Sequence, residues 1–324
     1  MLAGEGDARL HALAGRISTL AIILLIAGGS TNVRYNPQVP EENDRLSRMV
    51  ALLDDGAVVF GTSVSNRGPD GAVQAVQNQE IDFLWYDMEH SAFDVNQLRV
   101  FMQFTLDPRQ ILSRGHPGTE HPILVRVPLN GREVHMNQWM IKNLLDQGIH
   151  GIVVPFVDTP EQAAAVVRAM RYPRPEGSAF REPLGERGAG PGNAMRFWGV
   201  ERDEYIDRSD LWGLSPRGEM LNILLIESDE GVRNIREIAQ VPGVSIIMPA
   251  PGDLGMAYGG DEERIEEAIQ VILEACLEFD VPCGIGAGPD DVVRRIQEGF
   301  RVLMASGEGL RVGRATAGRE TSPQ

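Results

Sequence analysis

The sequence predicts a (β/α)8 TIM barrel preceded by an extension and interrupted by an insertion before the fifth strand. Eight apolar, strand-like runs alternate with eight amphipathic, helix-like stretches. The strand runs are almost continuously apolar, the pattern of a parallel sheet buried on both faces. Residues 44–324 also have the length of a barrel, for which ~250 residues are usual. A doubly wound sheet is the alternative, and the eightfold count favours closure.

Residues 1–43 are read as the extension and 44–324 as the barrel. Leu20 to Ala27 (LAIILLIA) is the one unbroken apolar run, with Arg9 and Arg16 before it and Gly28, Gly29 and Ser30 after it. It is far shorter than the ~20 apolar residues of a membrane span but suits the core of a signal peptide. Glu5 and Asp7 interrupt the positive flank such a signal needs. Two readings therefore stand: export to the periplasm or exterior, or a cytoplasmic protein in which the segment is an uncleaved anchor or a plain, disordered or misannotated extension. Asn32 to Asn43, polar and with two prolines, reads as a linker.

Strands are expected at Val58–Val64, Phe83–Glu89, Ile123–Val127 and Gly151–Val157, where β-branched and aromatic residues sit between turn signals. Asn222–Glu227, Val244–Pro249, Cys283–Ala287 and Arg301–Ala305 complete the barrel. The helices between them are Gly71–Gln79, Asp94–Phe104, Val134–Gln147 and Pro160–Met170, then Asp229–Gln240, Glu262–Glu278, Pro289–Glu298 and Glu308–Arg319. Several open on a capping residue or an early proline, as at Asp94 and at Thr159-Pro160. Tyr172 to Met220 breaks the rhythm. It is rich in Gly, Pro and Arg, and its Trp198, Tyr205 and Trp212 suggest a packed flap; long loops often carry function.

Composition narrows the chemistry. Thirty basic against 46 acidic residues leave a net charge of −16, which argues against nucleic acid as a partner. Lys142 is the only lysine, so a Schiff-base mechanism has one candidate amine. Lys142 lies within an apolar helical pattern upstream of a strand, away from the strand ends where barrels do chemistry. Cys276 and Cys283 are too few for a thiolate zinc cluster or a disulfide framework, and both read as buried packing residues.

Barrel active sites lie at the C-terminal strand ends. Strand two ends in Asp87-Met88-Glu89-His90, strand three in Arg126 and strand five in Glu227, while strand six runs into Pro251-Gly252-Asp253. Carboxylates, a guanidinium and an imidazole thus converge, which suits a divalent cation held by acids and an anionic substrate held by arginine. Each residue alone has a plainer reading: a strand-end carboxylate often caps the next helix, and an arginine often only pairs with one. Of the other histidines, His11 lies in the extension, and His116 and His121 flank a loop and read as surface residues. His135 and His150 sit on the non-catalytic side.

The runs Asp87-Met88-Glu89-His90, Val125-Arg126-Val127-Pro128 and Ile141 to Gly148 resemble those of the HpcH/HpaI aldolase family, class II pyruvate aldolases of the phosphoenolpyruvate/pyruvate barrel superfamily. So do Gly151-Ile152-Val153-Val154-Pro155, Arg171-Tyr172-Pro173, Ile226-Glu227 and Pro251-Gly252-Asp253-Leu254. The resemblance spans about Val58 to Ala305. It implies that Glu227 and Asp253 ligate Mg²⁺, Mn²⁺ or Co²⁺, and that Arg126, Gly252 and Asp253 face the substrate. It also implies that His90, paired with Asp146, works as acid/base through a water, and that the chain forms a homo-oligomer by exchange of the helix Glu308–Arg319. Three departures bear on the aldehyde side. Met88 stands where the family usually has glycine, Ala250-Pro251-Gly252-Asp253 replaces a Gly-Pro-Ala-Asp run, and Tyr172–Met220 is longer than usual.

The expected reaction is reversible retro-aldol cleavage of a 2-oxo-4-hydroxy acid to pyruvate, or a close 2-oxo acid, and an aldehyde. Such cleavage makes an enolate, which an imine or a metal must stabilise, and the carboxylates favour the metal. Imidazole titrates near neutrality (about 6.5), which suits a proton shuttle. The rivals are a related lyase acting on an acyl-CoA or a hydroxy-dicarboxylate, and a barrel that binds small carboxylates without turnover. A basic groove would mark the CoA case; fold alone separates none of them.

Overall fold

The computed structural model describes residues 45–114 and 119–319. The expected signal segment and linker, with His11 and His116, lie outside the described residues. The chain runs α1 (Arg48–Asp54), β1 (Val59–Ser63), α2 (Pro69–Gln77), β2 (Phe83–Asp87), α3 (Val95–Phe104) and α4 (Pro108–Arg114). It continues through β3 (Ile123–Arg126), α5 (Val134–Leu145), β4 (Gly151–Val154), α6 (Pro160–Met170), α7 (Gly192–Trp198) and α8 (Arg202–Arg208). Next come β5 (Leu221–Ile226), α9 (Asp229–Arg233), α10 (Ile235–Ala239), β6 (Ile246–Pro249), α11 (Pro251–Ala257) and α12 (Glu262–Glu278). The last elements are β7 (Gly284–Gly286), α13 (Val292–Glu298), β8 (Val302–Met304) and α14 (Gly307–Thr316).

All eight expected strands form. They pair in parallel in the order β6-β5-β4-β3-β2-β1-β8-β7. An isolated bridge between Ile247 and Cys283 joins the two ends of that order and closes the barrel. The seam is held by the Ile247 N–H, which donates to the Pro282 carbonyl at 3.2 Å.

Strand side chains alternate between the barrel interior and the helical layer. Val59, Phe83, Trp85, Leu124, Val153 and Ile223 belong to the inner cluster, together with Leu225, Ile246, Met248 and Val302. Gly61 is required there, because a Cβ would lie 2.1 Å from the Phe83 ring that fills the centre. Helix α1 was not expected from the sequence. Its Met49, Val50 and Leu53 join the same inner cluster and plug the N-terminal end of the barrel. The alternate strand positions, such as Phe60, Leu84, Tyr86 and Val125, pack outward against the helices.

The insertion corrects an expectation. It holds two helices, α7 and α8, and its aromatics do not cover the catalytic mouth. Trp198 donates to the Gly148 carbonyl at 2.8 Å and stacks on His150, with ring centroids 5.2 Å apart. Trp212 donates to Asp54 at 2.8 Å. These contacts lie at the N-terminal ends of the strands, as chain order requires of a segment entering β5. Arg171, 1% exposed, organises the insertion by a fork on Asp210 (2.6 and 3.0 Å) and by the carbonyls of Phe180, Arg181 and Pro183. His121 is likewise buried, against the surface expectation, and its Nε2 lies 3.0 Å from the Asn78 carbonyl oxygen.

Candidate active site

At the C-terminal end of the barrel, Asp87 is the last residue of β2 and Arg126 the last of β3, and the two are register partners. Arg126 presents its Nε to Asp87 Oδ1 at 2.9 Å and its Nη2 to Oδ2 at 2.6 Å, a bidentate pair. Its Nη1 lies 3.0 Å from Glu89 Oε2, and its guanidinium sits 5.7 Å from the centre of the Trp85 ring. The arginine is therefore fixed on three sides before any substrate arrives. Burial opposes ionisation of Asp87, but Arg126 and the amides of Glu89 and His90 hold its carboxyl below the ordinary value.

Glu227 follows β5 directly and is 3% exposed. Its Oε2 accepts the Phe156 N–H at 2.7 Å. Phe156 reaches it from a left-handed backbone conformation (φ 48°), costly for a bulky residue and accommodated by Gly131, where a Cβ would meet the Phe156 oxygen at 2.5 Å. Burial pushes the Glu227 carboxyl up to about 8, and the charges of Asp253 and Glu89 push the same way against the Phe156 amide and Arg126. Burial also raises Glu89, whose Oε2 is buried without a hydrogen-bond partner although Arg126 lies beside it. Asp253 sits in the first turn of α11.

Three acids thus crowd around one arginine that a fourth acid already claims. That arrangement fits a divalent cation, which would relieve the repulsion. Among the described residues no set of three or more His, Cys, Asp or Glu side chains forms a complete metal cage. Glu227 and Asp253 would supply two ligands and leave the rest of the shell to water and substrate, the open arrangement of a catalytic rather than a structural ion.

The structure brings Arg126, Glu227 and Asp253 to one rim, as the strand ends predict, and it leaves the site open at Gly252, where a Cβ would meet no atom within 4 Å. His90 stands at the same rim, its side chain 66% exposed and its Nε2 3.6 Å from Glu89 Oε2. The expected pairing of His90 with Asp146 is not made within the chain. Asp146 is the C-cap of α5, which places it at the opposite end of the barrel, where it accepts from Arg187 Nη2 at 3.0 Å. Met88 is 1% exposed and packs into the helical layer, so this departure does not line the site. Lys142 is exposed on α5, remote from the rim.

Sequence reasoning counted Asp87 and Glu89 among the carboxylates that converge at the strand ends but gave a role only to His90 beside them. Strand alternation would have singled both out, because 87 and 89 face the same way as the inward Trp85 and Phe83. The Phe156 amide has no sequence signal, since any residue but proline carries that N–H.

Residues 69–307 match the family model described as HpcH/HpaI aldolase/citrate lyase. The hydroxypyruvate/pyruvate aldolase of Delftia acidovorans is 32% identical over 230 residues, 69% of this chain and 72% of that protein. The 5-keto-4-deoxy-D-glucarate aldolase of Klebsiella pneumoniae is 31% identical over 72% of this chain and 80% of its own length. Among solved structures, an HpcH/HpaI aldolase/citrate lyase family protein from Burkholderia cenocepacia superposes with a TM-score of 0.63 at 26% identity, covering 83% of this chain and 96% of that one. The barrel, the rim and these likenesses agree: the chain belongs to the HpcH/HpaI aldolase/citrate lyase family of lyases.

Proposed function

We propose that the protein is a divalent-metal-dependent aldolase that cleaves a 2-oxo-4-hydroxy acid to pyruvate, or a close 2-oxo acid, and an aldehyde, and runs the reverse addition. The observation that carries this reading is the excess of acid at the rim, buried Glu227 with half-buried Asp253 and Glu89, about Arg126. Two relatives named as aldolases, one of them a hydroxypyruvate/pyruvate aldolase, support it.

Arg126, held edge-on by Asp87, offers a fixed positive charge to the carboxylate of the oxo acid. Glu227 and Asp253 would hold Mg²⁺, Mn²⁺ or Co²⁺, which supplies Lewis-acid stabilisation of the charge that develops on the 2-oxo group. His90, free to meet solvent at the mouth, takes the proton of the C4 hydroxyl through a water. The C3–C4 bond then breaks, its electron pair stays with C3, and C4 leaves as the aldehyde carbonyl. A proton returned to C3 completes pyruvate. Lys142 takes no part, because an exposed amine on α5 cannot reach the rim to form an imine.

A pyruvate-release screen over 2-oxo-4-hydroxy acids, run with each divalent metal and with chelator, tests the reading. Metal-dependent release from at least one such acid is expected. Release from none, with metal bound, would leave a barrel that binds small carboxylates without turnover.

A further inference from the structure

The strands β3, β4 and β5 are neighbours in the barrel, and the loops that follow them meet around one carboxylate that the proposed reaction does not use. The side chain of Asp158 is 1% exposed. Its Oδ2 accepts Arg132 Nε at 2.7 Å from the loop after β3, and its Oδ1 accepts the Ser228 hydroxyl from the loop after β5. Its own N–H donates to Gln162 Oε1 at 2.7 Å, and its carbonyl accepts Asn234 Nδ2 at 2.8 Å. A charge buried in this way is tolerated only with its partners in place, so Asp158 fixes three loops relative to one another.

What those loops hold is Glu227. Residues 156–158 run beside residues 225–228. The Val157 N–H donates to the Leu225 carbonyl at 3.1 Å, the Phe156 N–H to Glu227 Oε2 at 2.7 Å, and Asp158 takes the Ser228 hydroxyl. Glu227 is thereby bracketed on both sides along the chain and gripped at its carboxylate. The Phe156 amide reaches it from φ 48°, a conformation that a bulky residue keeps only where its surroundings enforce it. Arg132 is part of that enforcement. The guanidinium that pairs with Asp158 also lies over the Phe156 ring, 5.6 Å from its centroid. One ion pair thus fastens the residue whose amide grips Glu227 and the residue that follows Glu227 in the chain.

We propose that Asp158, working with Arg132, is a positioning residue for the metal-binding carboxylate: it keeps the Phe156 N–H turned onto Glu227 and so sets that carboxylate in place before the ion arrives. This rests on the aldolase reading above, through its metal site. Asp158 itself touches neither ion nor substrate. Its contribution is the reorganisation that Glu227 is spared on binding.

Calorimetric titration of Mn²⁺ into chelator-treated protein tests this without turnover. Asp158→Ala should weaken binding by about tenfold, the lower end of the range for groups that orient a metal ligand, and Arg132→Met by about threefold to fivefold. The Arg132 side chain is 54% exposed, so Arg132→Met should keep the fold even where Asp158→Ala does not. Arg132→Lys, which retains a cation beside Asp158, should recover part of the loss. In a Glu227→Gln background the side chain at 227 contributes little to binding, so adding Asp158→Ala should cost less than about twofold, the non-additivity of groups that act as one. Asp82→Ala, which removes a fully buried acid from the other end of the barrel, gauges general destabilisation and should leave the Mn²⁺ affinity of the folded protein unchanged. Unchanged affinity in Asp158→Ala and Arg132→Met, or an equal loss with and without the Glu227 carboxylate, would overturn the proposal and leave the aldolase reading standing. Wild-type protein that binds no Mn²⁺ would remove both.

Discussion

The two ends of the barrel treat buried acids in opposite ways. At the N-terminal end, Asp82 is fully buried and over-neutralised: Arg319 forks onto it at 2.5 and 2.8 Å, Arg48 and Arg314 stand at 3.4 and 3.8 Å, and the Phe60 N–H donates at 2.9 Å. At the C-terminal end, Glu227 has one amide and the charge of Arg126, itself claimed by Asp87, on its side and two other acids pressing on it. The first arrangement ties α14 and α1 to the strand ends and spends charge on cohesion. The second leaves charge unsatisfied where the reaction is proposed to occur, and a bound cation with its substrate would complete it. Stability sits at one end and chemistry at the other.

Substitutions can break or sharpen that contrast. The largest effect is expected at the catalytic end, where His90→Ala should lower turnover by ~10²–10⁴ with metal affinity nearly unchanged. Stopped assays of pyruvate release beside a metal titration check it, and near wild-type rates would remove His90 from the mechanism. At the other end, Asp82→Ala removes the carboxylate that Arg319, Arg48 and Arg314 share and should cost about 3–5 kcal/mol of stability, the range for breaking a buried charge network. Denaturant titration measures this, and the surviving folded fraction should keep its specific activity. A loss of activity per folded molecule would mean that the ends are not independent.

The next effect is on pH dependence. The Glu227 carboxyl stands at about 8 in the folded, metal-free chain against 4.5 ordinarily, so the folded state binds its proton more tightly. Between those values unfolding releases that proton, and stability should fall as pH rises through the window, by up to roughly 5 kcal/mol if the whole shift is realised. Glu227→Gln should flatten this slope, and so should bound metal. Glu219 offers an internal control. Burial pushes it up to about 7, but its oxygens meet the amides of Leu46 and Ser47 and Arg208 at the N-terminal end, so its smaller slope should persist with metal present. Thermal melts across pH 4–9, with and without metal, separate the two. The smallest effect is expected for Lys142→Ala, which should change turnover less than about twofold, because no imine is formed. Borohydride trapping of pyruvate on the protein should fail.

What the sequence made legible follows the same division. The strands were readable because burial on both faces leaves long apolar runs, and the rim acids because a barrel exposes its strand ends on one side. Glu227 and Asp253 came from position and from the family resemblance together. The short helices α1, α4, α7 and α8 were not readable, since seven residues hold barely two turns of periodicity. Asp146 was placed with His90 on resemblance, and chain order sets it at the far end, because a residue closing α5 must precede β4. The insertion was read as a flap on its aromatics, although a segment between α6 and β5 can only enter from the N-terminal side. Phe156 was invisible because its contribution is a backbone amide turned by an unfavourable φ.

The central claim is that the acid excess at the rim exists for a divalent ion, and calorimetric titration of Mn²⁺ into chelator-treated protein tests it most directly. One ion per chain should bind, with partial proton release near pH 7 as Glu227 ionises, read from buffers of different ionisation heat. Glu227→Gln and Asp253→Asn should each weaken that binding by about an order of magnitude or more, the loss of one charged oxygen ligand. No binding, or binding that neither substitution disturbs, would contradict the account.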